Sequence, residues 1–192
     1  MHADTLWQCD FFSKRIVTRF GLRQVFVLAF IHIGTRRVFV TPATYKPDSS
    51  WMKEQAESFL EYVKAKGLQA EIVMRDRDSK FENGFDEVIE DGGTEIHKTA
   101  HRSPNQNAFI ERWVQSIGQE CLDHFLVFDK KHMGHLVSEY VSHYHAERPH
   151  QSLDNEVILK WPHQVDATNA VGPIKCQTRL GGLLKHYYRD AA

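Results

Sequence analysis

Continuous apolar runs and amphipathic stretches follow one another along the chain and predict both strands and helices. Residues 25–33 form an unbroken β-favouring run, as expected of a strand covered on both faces. Gly34-Thr35 separates this run from a second one over residues 36–41, and such a two-residue Gly-X link predicts a type II′ hairpin. A third strand is predicted around residues 7–12, either antiparallel or parallel to the first two.

Helical spacing of apolar residues begins after these strands. The first predicted helix follows the cluster Pro47-Asp48-Ser49-Ser50 and is stopped by Gly67. Shorter patterns predict a strand over 70–75, a helix over 85–90 and a strand over 95–98. Because strands and helices alternate only in part, this order indicates an α/β sheet of mixed direction and not a doubly wound fold.

The second half of the chain is predicted to be mainly helical. Ser103-Pro104-Asn105-Gln106 is typical of a helix start, with serine as N-cap, proline at N1 and glutamine completing a capping box. This helix is expected to run to His124, and another is expected from about 133 to 146. Residues 157–192 contain few periodic patterns and a Gly181-Gly182 break, so they are interpreted as an extension of the domain.

Composition excludes several classes of protein. With 192 residues and 42% hydrophobic side chains, the chain has enough apolar material for one sizeable packed domain, so it is not a disordered tail. No apolar run reaches the roughly 18 residues that a membrane span needs, and no secretory signal is recognised. Three scattered cysteines are too few for a disulfide framework, so they are interpreted as reduced thiols in a cytosolic protein.

Charge is distributed unevenly although the formal net charge is only -1. Residues 11–46 contain seven bases and no acid, residues 47–95 contain thirteen acids and six bases, and residues 157–192 contain five bases and two acids. Basic ends around an acidic middle suit a polyanionic partner held near a cation-binding centre. An ordinary mixed surface would explain the same charges equally well.

Three carboxylates on three predicted elements are candidate metal ligands. Asp10 lies within an apolar strand, Asp76 follows the strand that ends at residue 75, and Glu111 lies in the second turn of a helix. Carboxylates without histidine or cysteine at ligand spacing suit hard divalent cations, and two such ions promote in-line phosphoryl displacement. Alternatively, these acids are solvated or paired with neighbouring bases, namely Arg75, Arg77 and Arg112.

Three blocks surround these acids: Trp7-Gln-Cys-Asp10-Phe-Phe, Arg75-Asp76-Arg-Asp-Ser-Lys-Phe81 and Ser103-Pro-Asn-Gln-Asn-Ala-Phe-Ile-Glu111-Arg-Trp. They resemble the catalytic blocks of the integrase core domain family, the DDE enzymes that include retroviral-type integrases and bacterial insertion-sequence transposases. Asp76 and Glu111 are 35 positions apart, close to the interval of this family. Further matches around residues 120–123, 144–153 and 179–183 extend the resemblance over nearly the whole chain.

The resemblance implies a ribonuclease-H-like α/β fold, with a five-stranded mixed sheet flanked by helices. It implies a catalytic core over residues 1–155 and a C-terminal extension over 156–192. The implied activity is metal-dependent cleavage and joining of DNA phosphodiesters with two Mg²⁺ or Mn²⁺ ions. Asp10 would bridge both ions, Asp76 would complete one site and Glu111 the other.

The implied partner is double-stranded DNA, both element ends and target, and the chain is expected to form a homo-oligomer without membrane association, in the bacterial cytoplasm near the nucleoid. Seven side chains are candidates for contacts with DNA: Lys98, Arg102, Gln106, Asn107, Arg112, Arg148 and His150. Salt bridging and capping are the competing interpretation of the same residues. His143 and His145 are interpreted as exposed residues beside a helix end.

Some positions depart from the family pattern. Only nine residues precede Asp10, so no end-recognition module is expected in this chain, and Gly118 or Gln119 stands where many members carry a base. Asp78 replaces a glycine of many members and is expected to face solvent. Two alternatives therefore remain open: a decayed or domesticated core that binds DNA or protein without catalysis, and a ribonuclease-H-type or junction nuclease.

Overall fold

The computed structural model describes residues 3–18, 21–82, 84–100, 104–160 and 172–189. The chain divides into two compact units, one of residues 1–116 with 126–134 and one of residues 117–125 with 135–192. The boundary between a catalytic core and an extension at residue 155 remains a prediction.

The first unit contains a five-stranded mixed sheet. Its strands are β1 (Leu6–Thr18), β2 (Gly21–His32), β3 (Val38–Val40), β4 (Ile72–Arg75) and β5 (Glu95–Lys98), in the spatial order β3-β2-β1-β4-β5. β1 pairs with β2 and β2 with β3 in antiparallel fashion, whereas β1 with β4 and β4 with β5 are parallel. The predicted five-stranded sheet of mixed direction is therefore confirmed.

The connection between β2 and β3 differs from the predicted type II′ hairpin. It spans residues 33–37, and the residue with a positive φ is Arg36, at 61°, and not Gly34. Arg36 holds this conformation by donating its backbone N–H to His32 O and its Nη1 to Ile33 O. Gly34 serves close packing instead, because a Cβ there would lie 2.5 Å from Asp4 Oδ1.

Four helices are described: α1 (Ser49–Ala65), α2 (Phe85–Asp91), α3 (Ala108–Glu120) and α4 (Lys130–Ala146). Asp48 caps α1 by accepting the Trp51 N–H at 3.2 Å, and Gly67 follows it with a φ of 61°, so both predicted ends are confirmed. α3 ends earlier than expected, because a separate 3₁₀ turn covers Leu122–His124.

The start of α3 also differs from the predicted capping box. Residues Pro104–Asn107 form a 3₁₀ turn, and Ser103, the expected N-cap, lies outside the described residues. Gln106 Oε1 accepts the N–H of Ala100 at 2.6 Å. The glutamine therefore bonds a backbone group before the expected cap, and it ties the end of the β5 segment to the start of the helix.

The main core of the first unit lies between the sheet and α1 with α2. Trp7, Phe30 and Phe59 are fully buried, and the Phe30 and Phe59 rings stack with centroids 4.1 Å apart. Trp7 Nε1 donates to Gln69 O at 2.9 Å, so the polar atom of this large side chain is satisfied. On the side of α3, Trp113 is buried and its ring lies edge-on to Phe12, with centroids 5.7 Å apart.

The second unit contains strands that the sequence does not predict. β6 (Lys175–Arg179) and β7 (Leu184–Tyr188) form an antiparallel two-stranded sheet. Arg179 attaches this sheet to α4 by donating from Nη1 to Glu139 Oε2 at 3.1 Å, and it also donates to Glu147 Oε1, directly after the helix, from Nε at 2.8 Å and from Nη2 at 2.7 Å. Where the structure describes the chain, none of its helices is long and apolar enough to span a lipid bilayer.

Candidate metal centre

Two aspartates lie side by side because the strands that carry them are adjacent and parallel. Cys9 of β1 and Arg75 of β4 are the last register partners of this pair, and Asp10 and Asp76 are the residues that follow them. Neighbouring strands are about 4.8 Å apart, so the backbone alone brings these two residues to one edge of the parallel pair. This is the arrangement that the sequence predicts for Asp10 and Asp76.

Glu111 is brought to the same region by hydrogen bonds between β1 and the start of α3. Gln8 Oε1 accepts the backbone N–H groups of Phe109 at 3.0 Å and of Ile110 at 3.2 Å, and Gln8 Nε2 donates to Gln106 O at 2.7 Å. The first N–H groups of a helix have no partner within it, so the glutamine acts as a cap supplied from a strand. Glu111 follows directly after the capped residues.

A second amide strengthens this connection. Asn107 is 3% exposed, and its Nδ2 donates to Cys9 O at 3.2 Å. The backbone carbonyl immediately before Asp10 is therefore bonded to the turn immediately before α3. Together with Gln8, this bond fixes how far Glu111 can move from Asp10.

The negative charges of Asp76 and Glu111 act on the carboxyl group of Asp10. Burial, followed by the negative charges of Asp76, Glu111 and Asp78, raises the pKa of Asp10 from 3.8 to about 7. The Phe11 N–H, which donates to Asp10 Oδ1 at 2.6 Å, opposes this increase without cancelling it. The site thus concentrates negative charge that a proton or a cation would offset.

Neighbouring arginines do not neutralise this charge. Arg75 is 1% exposed, and it binds Asp86 through Nε at 2.8 Å and Nη2 at 2.5 Å. Its Nη1 donates to the backbone carbonyl of Asp76, not to the carboxylate. Arg77 donates from Nε to Thr99 O. Within the described ranges, Asp10, Asp76 and Glu111 form no salt bridge with Arg75, Arg77 or Arg112, so the structure does not show the pairing alternative, and the alternative that these acids are solvated stays open.

Asp78 lies beside the site, but its negative charge is paired with Lys80. Its Oδ2 lies 2.6 Å from Lys80 Nζ, and its backbone N–H donates to Asp76 Oδ1 at 3.0 Å. Burial alone would raise the pKa of Asp78, but the hydrogen bonds from Lys80 bring it below its ordinary value. The side chain is partly buried, so the expectation that it faces solvent holds only in part.

The donor set fits a hard divalent cation, which needs oxygen ligands and negative charge. The fit rests on the carboxylates of Asp10, Asp76 and Glu111 and on the raised pKa of Asp10. The side chains are not gathered into a coordination sphere: among the described residues, no group of three or more His, Cys, Asp or Glu forms a metal-binding cluster.

The residues predicted to contact DNA in the first unit differ in accessibility. Lys98 lies 3.1 Å from Asp86 Oδ2 with a half-exposed side chain, and Arg112 is exposed on α3. Gln106 and Asn107 hold the start of α3, as described above. Arg102 lies outside the described residues. Contact of any of these with DNA remains a prediction.

The two predicted contacts in the second unit have intramolecular partners. Arg148 binds Glu120 through Nη2 at 2.7 Å and Nε at 3.2 Å, and Tyr140 OH donates to the same carboxylate at 3.0 Å. His150 is 6% exposed, and its Nε2 lies 2.8 Å from Tyr144 O. These contacts give both residues a structural role; their contact with DNA stays untested.

The sequence did not reveal that two residues, Gln8 and Arg75, position the proposed metal ligands. Gln8 and Arg75 precede the two aspartates by two and by one position, and both act on groups distant in sequence. The signal for Gln8 is its period-2 relation to Asp10, which puts both side chains on one face of β1. Arg75 is marked only by being a charged residue at the end of an apolar strand.

Comparison with known proteins identifies a family model and solved structures that resemble the chain. Residues 92–156 match the family model of the integrase core domain. The chain resembles the HTLV-2 integrase catalytic core domain in complex with magnesium, in its trimeric form, with a TM-score of 0.59 and 12% identity over 81% of this chain and 93% of that one. It also resembles the simian T-cell lymphotropic virus intasome in complex with the PP2A regulatory subunit B56 gamma, with a TM-score of 0.55 and 12% identity over 97% of this chain and 66% of that one. No curated protein matches the chain.

The fold is therefore ribonuclease-H-like, that of retroviral integrase catalytic cores. Residues 92–156, about a third of the chain, match the integrase core domain model, so the resemblance found in the sequence is confirmed over that part. At 12% identity, the likeness to the two solved structures establishes the fold alone.

Proposed function

We propose that this chain is a metal-dependent polynucleotidyl transferase of the DDE integrase and transposase type, which cleaves and joins DNA phosphodiesters. The observation that carries the proposal is the effect of the Asp76 and Glu111 charges on Asp10, because these three acids come from three different parts of the fold and have no salt-bridge partner among the described residues. The integrase core domain match over residues 92–156 supports the same reaction class.

In this proposal the three carboxylates hold two Mg²⁺ or Mn²⁺ ions, with Asp10 shared between the two sites. Such ions would supply activation of the attacking water or 3′-hydroxyl and stabilisation of the leaving oxygen. The chain's own residues keep the ligands in place. Gln8 and Asn107 tie the start of α3 to β1, and Arg75 fixes the backbone on which Asp76 lies.

The substrate would be double-stranded DNA, first at an element end and then at a target. Candidate contacts in the first unit are the exposed Lys98 and Arg112 together with Arg102, Gln106 and Asn107, and in the second unit Arg148 and His150. We also propose that the chain acts as a homo-oligomer, because two DNA ends must be joined at one target, and that it works on nucleoid DNA in the bacterial cytoplasm.

The test is cleavage and strand transfer on labelled duplex DNA with Mg²⁺ or Mn²⁺. Asp10→Asn, Asp76→Asn and Glu111→Gln should each abolish product formation while leaving the protein folded. Asp91→Asn is the matched control, because this exposed acid at the end of α2 loses the same charge away from the site. Activity that survives Asp10→Asn would exclude the mechanism.

Two alternatives correspond to distinct outcomes. If titration calorimetry detects no binding of Mn²⁺ and no product forms, while duplex DNA still binds, the chain is a non-catalytic core. If RNA–DNA hybrids are cleaved and DNA duplexes are not, it is a ribonuclease-H-type nuclease. Both outcomes would replace the transferase proposal.

A further inference from the structure

The hairpin of β1 and β2 extends well beyond the rest of the sheet. β4 pairs with β1 only over residues 6–9, and β3 pairs with β2 only over 29–31, whereas β1 and β2 remain in register until Thr18↔Gly21. We call residues 13–18 and 21–26 the β-arm. Six residues in each strand give it a length of about 20 Å. The β-arm is held by the hydrogen bonds between its two strands. It is also supported by a β-bridge between Phe26 and Thr44 and by a hydrogen bond from Val17 N–H to Val127 O.

The two faces of the β-arm differ in exposure. On one face Ile16 and Val25 are fully buried, which anchors the ribbon on the first unit. On the other face the cross-strand pairs Arg15↔Gln24 and Val17↔Leu22 consist of exposed residues. A strand register is firmly specified when one face is buried, so the exposed face presents these side chains in a fixed order.

The β-arm contains three basic residues and no acidic residue among residues 13–18 and 21–26. Between residues 11 and 46 there is no acid, and the β-arm itself contains Lys14, Arg15 and Arg23. Arg15 and Arg23 form no salt bridge within the ranges that the structure describes, although Arg23 stacks over the Tyr45 ring at 4.3 Å. Arg15 lies on the exposed face of the ribbon, whereas Arg23 is the register partner of the buried Ile16 and lies on the anchored face, with its own side chain exposed. Cations therefore project to both sides.

Two apolar side chains are exposed in the outer part of the β-arm. Val17 is 53% and Leu22 is 68% exposed, and they are directly opposite each other in the register. Two exposed aliphatic side chains beside exposed arginines suit a surface that offers both phosphates and apolar base edges.

We propose that the β-arm is a DNA-binding element that inserts into a groove of duplex DNA. Arg15 and Arg23 contact phosphates on the two sides of the groove, and the Val17–Leu22 pair packs on base edges at its floor. The major groove admits a two-stranded ribbon, and thymine methyl groups there offer apolar contacts. The inference rests on the proposed function for its partner, since Asp10 lies on the same strand as Arg15 and Val17.

Charge decides between DNA and a second copy of the chain as the occupant. DNA carries a dense row of phosphates, and cations that neutralise them release counterions, which favours binding. The acidic segment over residues 47–95 of another copy would be a weaker match, because six bases are interspersed among its thirteen acids. Self-association through the β-arm is therefore treated as an outcome of the test.

The experiment measures binding of the full chain to a fluorescein-labelled DNA duplex by anisotropy, in EDTA, between about 50 and 200 mM salt. Arg15→Gln with Arg23→Gln should weaken binding and lower the slope of log affinity against log salt by about 1.8, since each lost phosphate contact removes about 0.9. Val17→Ser with Leu22→Ser should weaken binding several-fold without changing the slope, because no ionic contact is lost.

Two further variants separate the β-arm from total charge and from folding. Lys64→Gln with Lys66→Gln removes the same charge from the exposed end of α1, and it should change the slope far less. Arg15→Lys with Arg23→Lys keeps the charges and should keep the slope, which shows that the fold tolerates substitution there. Thermal melting of each variant provides the check on folding.

The inference would be overturned if the wild-type chain did not bind duplex DNA, or if the Arg15→Gln and Arg23→Gln variant kept the wild-type slope. It would also be overturned if the Lys64→Gln and Lys66→Gln control changed the slope equally. Finally, β-arm variants that lose self-association but keep the wild-type affinity for DNA would show that the β-arm binds a second copy of the chain. Cleavage assays keep this failure distinct from failure of the proposed function. If cleavage depends on Asp10 but the β-arm variants bind DNA as the wild type does, only the proposal for the β-arm is refuted. If no cleavage occurs but the β-arm variants lower the salt slope, only the proposed transferase activity is refuted.

Discussion

Gln8 and Ile110 are joined by a hydrogen bond of 3.2 Å between the side-chain Oε1 of the strand residue and the backbone N–H of the helix residue. The two are 102 positions apart in the chain. Because Asp10 is two residues from one partner and Glu111 directly follows the other, this bond controls the distance between two proposed metal ligands.

Replacing Gln8 should therefore affect both stability and chemistry. Gln8→Ala removes the cap on α3 and leaves the N–H groups of Phe109 and Ile110 without a side-chain partner, at a cost of about 1 to 3 kcal/mol in the free energy of unfolding. Urea denaturation measures that loss. The turnover number for DNA cleavage should fall further than the folded fraction does, with a smaller change in KM for DNA.

The matched control for this prediction is Gln115→Ala, because Gln115 is exposed on the same helix. It should change the free energy of unfolding by less than about 0.5 kcal/mol. Equal turnover in Gln8→Ala and the wild type, at equal folded fraction, would contradict the positioning role.

The buried guanidinium of Arg75 should be essential for the stability of the first unit. Arg75→Met leaves Asp86, whose carboxylate is partly buried, with Lys98 as its one charged partner among the described residues. Removing one member of a buried ion pair costs about 3 to 5 kcal/mol. Chemical denaturation is the measurement, and a double-mutant cycle with Asp86→Leu isolates the pair, because the second change removes the uncompensated charge.

Arg77→Met serves as the comparison for Arg75→Met. Arg77 is exposed and donates from Nε to Thr99 O at 3.0 Å, so the loss of this hydrogen bond should cost less than about 1 kcal/mol. A similar cost for both variants would show that burial of the Arg75 pair contributes nothing specific.

Glu147 should make the stability of the second unit depend on acidity. Burial pushes its pKa up, but hydrogen bonds from Arg179 and His143 bring the pKa below the ordinary 4.5. A carboxyl whose pKa is lower in the folded state stabilises fully above its unfolded value. Its contribution is lost as the pH falls from about 4.5 through the lower, folded-state pKa.

Glu147→Gln should accordingly flatten the dependence of the melting temperature on pH in this acidic window. Glu156→Gln, which changes an exposed glutamate paired with Lys160, should leave the profile close to that of the wild type. Parallel profiles for the wild type and Glu147→Gln would refute the linkage.

Two glycines should respond in opposite directions to the same substitution. Gly118 lies in α3, and a Cβ added there would meet no atom within 4 Å, so Gly118→Ala should stabilise the chain by about 0.5 to 1 kcal/mol. Gly67 has a φ of 61° after α1, where a side chain is strained, so Gly67→Ala should destabilise by about 1 kcal/mol. Thermal unfolding of both variants checks the signs, and a loss of stability in Gly118→Ala would contradict the first.

Most of the secondary structure could be predicted from local sequence patterns. The strand predicted over 95–98 coincides with β5, and the helix between Asp48 and Gly67 has both of its predicted ends, because periodicity and capping are encoded by neighbouring residues. β6 and β7 were missed because their sequences, Lys-Cys-Gln-Thr-Arg and Leu-Lys-His-Tyr-Tyr, show no regular alternation of apolar and polar residues, although the residues of β7 do alternate in burial.

Long-range contacts explain where sequence reasoning was wrong or silent. His143 and His145 were expected to be exposed, yet both are buried, and His143 Nδ1 lies 2.9 Å from Glu147 Oε2. Likewise, the three acids were identified by their motifs, but the pairing of Arg75 with Asp86 and the cap from Gln8 depend on tertiary placement. No local pattern reports which distant backbone group a buried amide will meet.

The parallel register of β1 with β4 has a practical consequence. Main-chain bonds hold Cys9 and Arg75 opposite each other. The backbone spacing of Asp10 and Asp76, which follow them, is therefore set by the strands and not by the two carboxylates. A chain in which Asp10 and Asp76 are both changed to asparagine should keep its scaffold intact. If the proposed function is correct, this double variant would bind duplex DNA without cleaving it, and it could be used to isolate the protein–DNA complex before any bond is broken.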